Sequence, residues 1–206
     1  MGRDLSEDDQ LAVGWALTGG DPAGRALREA RARGVEAVLA ALFEGGQLGR
    51  VRDAWEAAGR PASTGRHTHR TAVTLADGSR VVGVSFHGGE PYERDVTPAF
   101  GLYLDPSWRP PWPHEHLAWP DFEVPDPDEL EGALTRLLAQ ARTGAVVEVG
   151  CLGGHGRTGT ALACLAVLAG TPAPTSVAWV REHYCAHAVE TAPQAAFVES
   201  FAARVR

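Results

Sequence analysis

Apolar positions fall into two regimes along this chain. Across residues 6–58 they recur at helical spacing, and from Thr71 onward short β-branched runs alternate with longer apolar stretches of strong helix formers. In the first regime Ser6-Glu7-Asp8-Asp9 resembles a capping box, opening a helix that runs to about Leu17. Residues 18–21 break it, and Pro22 is placed to start the next helix. Residues 26–43 read as helix, interrupted at Gly34 and ended by Gly45-Gly46. Residues 48–58 read as another, with Val51, Trp55 and Ala58 on one face.

Residues 60–65 are linker-like. Beyond them, residues 71–75 and 80–85 are β-rich runs joined by Asp77-Gly78, a hairpin signal. Residues 100–104 predict another strand. Residues 106–116 are dense in proline and tryptophan, which stiffens a loop; its aromatics are expected to cover the following loop or a pocket rim. Asp126-Pro127-Asp128-Glu129 puts Asp at N-cap, Pro at N1 and Glu at N3 of a helix that reaches about Arg142, with Gly144 just beyond. Residues 145–149 read as a buried strand, residues 160–169 as an apolar helix stopped by Gly170, and residues 175–184 and 193–205 as the last two helices. The pattern divides the chain into an N-terminal helical lobe, residues 1–62, and a second domain, residues 63–206.

The chemistry concentrates in the turn between that strand and that helix, residues 150–159: Gly-Cys-Leu-Gly-Gly-His-Gly-Arg-Thr-Gly. Glycines let the turn curl tightly, and its N–H groups and the helix N-terminus converge on a concavity suited to an anion. Cys151 sits where such donors favour a thiolate. The planar fork of Arg157 can grip two phosphate oxygens, and Thr158 offers a hydroxyl to the sulfur. A nucleophile and a phosphate clamp in one loop point to covalent phosphoryl transfer. Residues 154–159 also fit G-x-G-x-x-G, but the region about 20 positions on, Trp179 to His183, reads as helix and not as a strand ending in an acid. A Walker loop fails twice, at Cys151 and at Arg157. A tight turn with an inert buried cysteine leaves Arg157 and the surplus of glycines unexplained.

Cys151-x5-Arg157-Thr158 resembles the signature loop of the cysteine-based protein tyrosine and dual-specificity phosphatases. Trp119-Pro120-Asp121 resembles that family's mobile acid loop, and Gln194 its glutamine loop, in the family's order. The resemblance covers residues 71–206. Gly150 stands where the family usually has His, Glu190 where tyrosine-specific members carry an earlier Gln, and no Asn-Arg-Tyr-type phosphotyrosine recognition segment is present. The resemblance implies a protein tyrosine phosphatase-like α/β fold, with a mixed, largely parallel central sheet flanked by helices. It implies a hydrolase that forms a cysteinyl-phosphate intermediate on a protein or another phosphomonoester. Arg157 and the amides of Leu152, Gly153, Gly154, His155, Gly156 and Arg157 would hold the phosphate. Cys151 would attack, Asp121 would act as general acid, Gln194 would orient water and Thr158 would stabilise the departing thiolate. No cofactor and no metal is expected. A phospho-ligand binding module without turnover is the rival reading, and an intact acid argues against it.

Composition narrows this further. The chain has 206 residues, 44% hydrophobic and 22% charged, enough for one well-buried core with an appended lobe. A net charge of −7 argues against a nucleic-acid partner. Three widely spaced cysteines make no disulfide framework, and a thiolate nucleophile suits a reducing, cytoplasmic setting. The polar start of the chain is no signal peptide and no apolar run has transmembrane length, so no membrane association is expected. Oligomeric state is not written in the pattern. His67 and His69 share a strand face, and His114 and His116 repeat the spacing. No Cys or carboxylate lies close by to complete a ligand set for His67 and His69, so they read as an exposed basic strand end that flanks the phosphate pocket, and the second pair as ordinary loop.

Overall fold

The computed structural model describes residues 6–18, 22–31, 33–59, 69–86, 94–106, 108–120 and 123–205. The chain separates into two compact units, Met1–His67 and Thr68–Arg206.

In the first unit the capping box forms: Asp9 N–H donates to Ser6 Oγ (3.2 Å) and Ser6 N–H to Asp9 Oδ2 (3.1 Å), which satisfies amides at the start of α1, Glu7–Thr18. A 3₁₀ turn at Pro22–Gly24 leads into α2, Arg25–Arg31. Gly34 breaks the pattern before α3, Val35–Leu39, which passes into a π-helical turn at Ala40–Glu44. The last helix, α4 (Gln47–Ala57), packs on α1. Val51 and Trp55 are buried with Trp15, Leu27 and Leu42. Ala58 is not on that face: it is the C-cap of α4 and exposed, because the helical path ends one residue before it.

The second unit is built on a five-stranded sheet in the order β1-β2-β5-β3-β4. Strands β1 (Arg70–Thr74) and β2 (Arg80–Ser85) form the expected antiparallel hairpin. Its turn is locked by Gly78 at φ 86° and by Asp77 Oδ1, which accepts from Ser79 N–H at 3.0 Å. The other pairs are parallel: β5 (Val147–Cys151) lies between β2 and β3 (Phe100–Tyr103), and β4 (His114–His116) adds to β3. Every residue of β5 is buried, as its near-continuous apolar sequence requires of a central parallel strand. Val73, Val81, Leu102, Val147 and Val149 join one core with the helices α5 (Pro127–Arg142) and α6 (Gly156–Leu168). Asp126 caps α5 by accepting from Asp128 N–H (2.9 Å) and Glu129 N–H (3.0 Å), and Leu130, Leu134, Leu137 and Leu138 make its buried stripe. Helix α6 is buried from Gly156 to Ala166 because α7 (Ala173–His183) and α8 (Ala192–Arg204) pack on its far side.

The proline- and tryptophan-rich stretch differs from the expectation in one way. His114–His116 is a strand, held on the sheet by register rather than by an apolar pattern: Gly101 pairs with His114 and Tyr103 with His116. Trp108 and Trp112 pack with Tyr103 and Phe86, and Phe86 stacks on Trp108 at 3.8 Å between centroids. Beneath them Glu148, 1% exposed, accepts from Tyr103 Oη (2.5 Å) and takes a bidentate grip from Arg94 (2.9 and 3.0 Å). Burial first, and then the Glu148 charge, push the Tyr103 hydroxyl well above its ordinary range, so it remains a donor.

Candidate active site

Parallel strands β2, β5 and β3 bring their carboxyl ends to one edge, where Ser85 pairs with Cys151 and Leu104 N–H donates to Gly150 O at 2.8 Å. Ligands of open α/β sheets bind at such an edge. Cys151 is the last residue of β5, and α6 starts at Gly156, so residues 152–155 are the whole strand-to-helix turn. Two donors converge on the sulfur: Gly154 N–H at 3.2 Å and Thr158 Oγ at 3.0 Å. Donors so aimed stabilise negative charge on sulfur.

Arg157, also buried, donates from Nη1 to Trp119 O (3.0 Å) and Leu104 O (3.2 Å), with Asp105 Oδ2 at 4.0 Å. It thereby joins the turn to the end of β3 and to the residue two positions before Asp121. Asp121 itself lies outside the described residues. Around it, Trp119 Nε1 donates to Glu123 O (2.8 Å) and Glu123 N–H to Pro120 O (3.3 Å).

Gln194 is brought to the same turn. Its Oε1 accepts from Glu190 N–H (2.9 Å) and Thr191 N–H (3.2 Å), completing a capping box at the start of α8. Its buried Nε2 has no hydrogen-bond partner among the described residues. A Cβ on Gly156 would come within 2.9 Å of that Nε2 and within 2.5 Å of Glu190 Oε2, so both side chains lie against the turn. Leu152, by contrast, is exposed.

Three further residues shape the turn from elements distant along the chain, so their contacts are not readable in the sequence. His69 is buried and not an exposed strand end: its Nε2 lies 3.0 Å from His155 Nε2, and its ring lies against Gly154. Tyr184 Oη donates to Gly154 O at 2.6 Å; burial first, then the Cys151 and Cys185 charges, keep its hydroxyl protonated. Glu190 is the third. His67 lies outside the described residues. The absence of a histidine before the nucleophile has a packing cause, since a Cβ on Gly150 would meet Val84 Cγ2 at 2.4 Å and Phe86 Cε1 at 2.9 Å.

The turn following α7 is equally constrained. Val189 has φ 60°, a left-handed conformation unfavourable for a β-branched residue. Arg181 holds it by donating to Ala188 O and Val189 O, both at 2.9 Å, while Val189 N–H donates to His155 O at 3.3 Å. Strain of this kind persists where the surroundings over-determine it.

Gly154 gives a direct test of these contacts. It has φ 74°, and a Cβ there would meet His69 Cδ2 at 2.7 Å and Ser85 Cβ at 2.9 Å. Gly144 has φ 83° with nothing within 4 Å. Gly144→Ala should therefore cost only the left-handed penalty, about 1–2 kcal/mol. Gly154→Ala should cost more and also lower kcat/KM at least about tenfold, as the turn shifts away from the sulfur. Thermal melts and initial rates on the pair check this; equal stability losses with unchanged rates would show that the turn is slack.

A buried cysteine held by donors in a turn at the carboxyl edge of a parallel sheet, followed by an arginine at a helix N-terminus, defines the class of cysteine-dependent phosphatases. Residues 62–202 match the family described as Swiss Army Knife protein, DSP-PTPase phosphatase domain, and the chain belongs to that family. It is a cysteine-dependent, protein-tyrosine-phosphatase-like enzyme. Two uncharacterized proteins of Methanocaldococcus jannaschii, MJECL20 and MJ0215, are each 34% identical to it. The first match spans 110 residues, 48% of this chain and 74% of the relative; the second spans 107 residues, 47% and 66%. A mutant form of Tk-PTP is similar in fold, with TM-score 0.52 and 22% identity over 66% of this chain and 96% of that one. Kinase associated phosphatase with its catalytic-site cysteine changed to serine gives TM-score 0.54 and 16% identity over 68% and 95%. No described helix is long and apolar enough to cross a membrane.

Proposed function

We propose that this chain hydrolyses phosphomonoesters of proteins, as a tyrosine or dual-specificity phosphatase, in two steps at the Cys151 turn. The Cys151 thiolate attacks phosphorus in line with the leaving oxygen while Arg157 and the amides of residues 152–157 hold the equatorial oxygens. Asp121 donates its proton to the leaving oxygen. In the second step its carboxylate takes a proton from water, which attacks the thiophosphate and expels the Cys151 thiolate. Thr158 Oγ stabilises that thiolate. Gln194 Nε2, a buried donor beside Gly156, orients the water. The observation that carries this reading is the convergence of Gly154 N–H and Thr158 Oγ on the Cys151 sulfur. Such a nucleophile works only while reduced, which suits the cytoplasm.

The test is a substrate panel on the purified chain: phosphotyrosine and phosphoserine peptides, inositol phosphates and nucleotides. The expected result is the highest kcat/KM on a phosphopeptide, with inhibition by vanadate and by thiol alkylation. Faster turnover of an inositol phosphate or nucleotide overturns the protein substrate. Binding without turnover across the whole panel leaves a phospho-ligand binding module instead.

We assign the chemistry to residues 63–206 and no catalytic group to the helical lobe, residues 1–62, which carries no nucleophile-and-acid pair. A chain beginning at Ser63 should keep kcat on an aryl phosphate within about threefold if it folds, a difference under 1 kcal/mol. A folded chain without turnover would place part of the site in the lobe.

A further inference from the structure

Two histidines and a thiol meet beside the catalytic turn, and the phosphatase chemistry leaves them unused as a group. His69 precedes β1, His155 lies in the turn and Cys185 follows α7. Their ligand atoms, two imidazole nitrogens and a sulfur, all lie within 4.8 Å of one another. All three residues are buried, at 5%, 9% and 7% exposure. The backbone of His69 is pinned to Ser85 in both directions: its N–H donates to Ser85 Oγ (2.8 Å) and its O accepts from Ser85 N–H (3.1 Å). A backbone amide is aimed at the Cys185 sulfur as well. His187 N–H donates to it at 3.4 Å, while the Ala188 amide donates to the Cys185 carbonyl oxygen at 2.9 Å. Burial, the larger effect, raises the Cys185 thiol, so it keeps its proton until an ion displaces it.

We propose that His69 Nε2, His155 Nε2 and Cys185 Sγ form a binding site for a divalent cation of the zinc class. Mixed imidazole and thiolate donors suit zinc and its neighbours and disfavour magnesium or calcium, which take oxygen ligands. Bond lengths of roughly 2.0–2.1 Å to nitrogen and 2.3 Å to sulfur put tetrahedral ligand atoms about 3.3–3.6 Å apart. The two Nε2 atoms already stand at 3.0 Å, and one ligand atom from each of the three residues lies within 4.8 Å of the others, so small side-chain movements bring the set to that spacing. A hydrogen-bonded histidine pair accounts for the two nitrogens but not for a thiol beside both. Binding exchanges the Cys185 proton for the ion: the S–H bond breaks, the proton goes to solvent and the S–metal bond forms. Water fills the fourth position, as at open zinc sites. His187, exposed and with its ring centroid 6.1 Å from that of His155, is the side chain able to replace it. The ion would tie together three segments that arrive separately, the approach to β1, the catalytic turn and the turn after α7. It takes no part in phosphoryl transfer.

Cobalt(II) titration of the reduced full chain tests this, because a cobalt–thiolate bond gives a near-ultraviolet charge-transfer band. The test runs on the wild type and on Cys151→Ser, which removes the other thiol of the turn. The expected result is a band saturating at one ion per chain in both, displaced by zinc, absent in Cys185→Ser and at least about tenfold weaker in affinity in His69→Gln. Zinc should raise Tm in the first two proteins and not in Cys185→Ser. Should Cys185→Ser fail to fold, His69→Gln carries the comparison. No band in the wild type overturns the site. So does a band lost in Cys151→Ser and kept in Cys185→Ser, which would put the ion on the nucleophile. Neither outcome touches the phosphatase reading, which aryl phosphate turnover measures separately.

Discussion

Cys151→Ser should lower kcat on an aryl phosphate by a factor on the order of 10⁶, the scale seen when a covalent nucleophile is removed. An alcohol in the same place is a poor nucleophile at neutral pH, because it keeps its proton where the thiol gives its own up. The two donors that converge on sulfur, Gly154 N–H and Thr158 Oγ, stabilise a charge that serine does not carry. The cradle should survive, since Cys151 ends a strand paired to Ser85 and the turn is fixed by Tyr184 and by the close approach of His69 to Gly154. Vanadate should therefore still bind the serine variant reversibly while turnover is lost. Arg157→Lys should also be severe, about 10²–10³-fold in kcat, the cost of losing one preorganised transition-state donor. Nη1 of Arg157 already serves Leu104 O and Trp119 O, and the guanidinium has further N–H groups with which to reach a phosphate. One ammonium cannot do both with the same planar geometry. A serine variant retaining more than a tenth of wild-type activity would remove the covalent mechanism.

The turn was legible in the sequence because its information is local. A β-branched run, a cluster of glycines, a cysteine and an arginine with five residues between them, and an apolar helix all sit within about twenty-five consecutive residues. The same holds for the Asp77-Gly78 hairpin and for the cap on α5, each a side chain acting on backbone two or three residues away. What was illegible is what pairing and packing decide. Strand β5 begins at Val147, two residues later than its apolar run, because Val146 is 39% exposed and the ladder with β2 and β3 extends instead to Cys151. Strand β4 has no alternation to read and exists because β3 offers it an edge. His69 read as an exposed basic residue until the sheet brought His155 to it from 86 positions away. Gln194 was legible only through the family's motif, and the fold gives it two tasks: a helix cap with its oxygen, and a donor with a nitrogen that has no partner among the described residues.

Asp121→Asn should lower kcat by about 10²–10⁴-fold for an alkyl or unactivated aryl ester, the usual worth of general acid assistance. The loss should shrink to less than about tenfold for a strongly activated aryl leaving group, which departs as the anion with little need of a proton. The pH profile carries the sharper signature. An acid that must be protonated in the first step produces an alkaline limb in kcat, so removing its carboxyl should flatten that limb and leave the acid limb in place. Two other carboxylates serve as controls. Asp126 accepts from two amides at the start of α5, and asparagine caps helices about as well, so Asp126→Asn should change neither kcat nor the profile. Asp105 lies 4.0 Å from Arg157 Nη1, so Asp105→Asn should act through the guanidinium, raising KM and weakening vanadate while the alkaline limb stays. Loss of that limb in Asp105→Asn or Asp126→Asn, with Asp121→Asn keeping it, would move the acid to another loop and would show that the Trp119-Pro120-Asp121 correspondence has slipped.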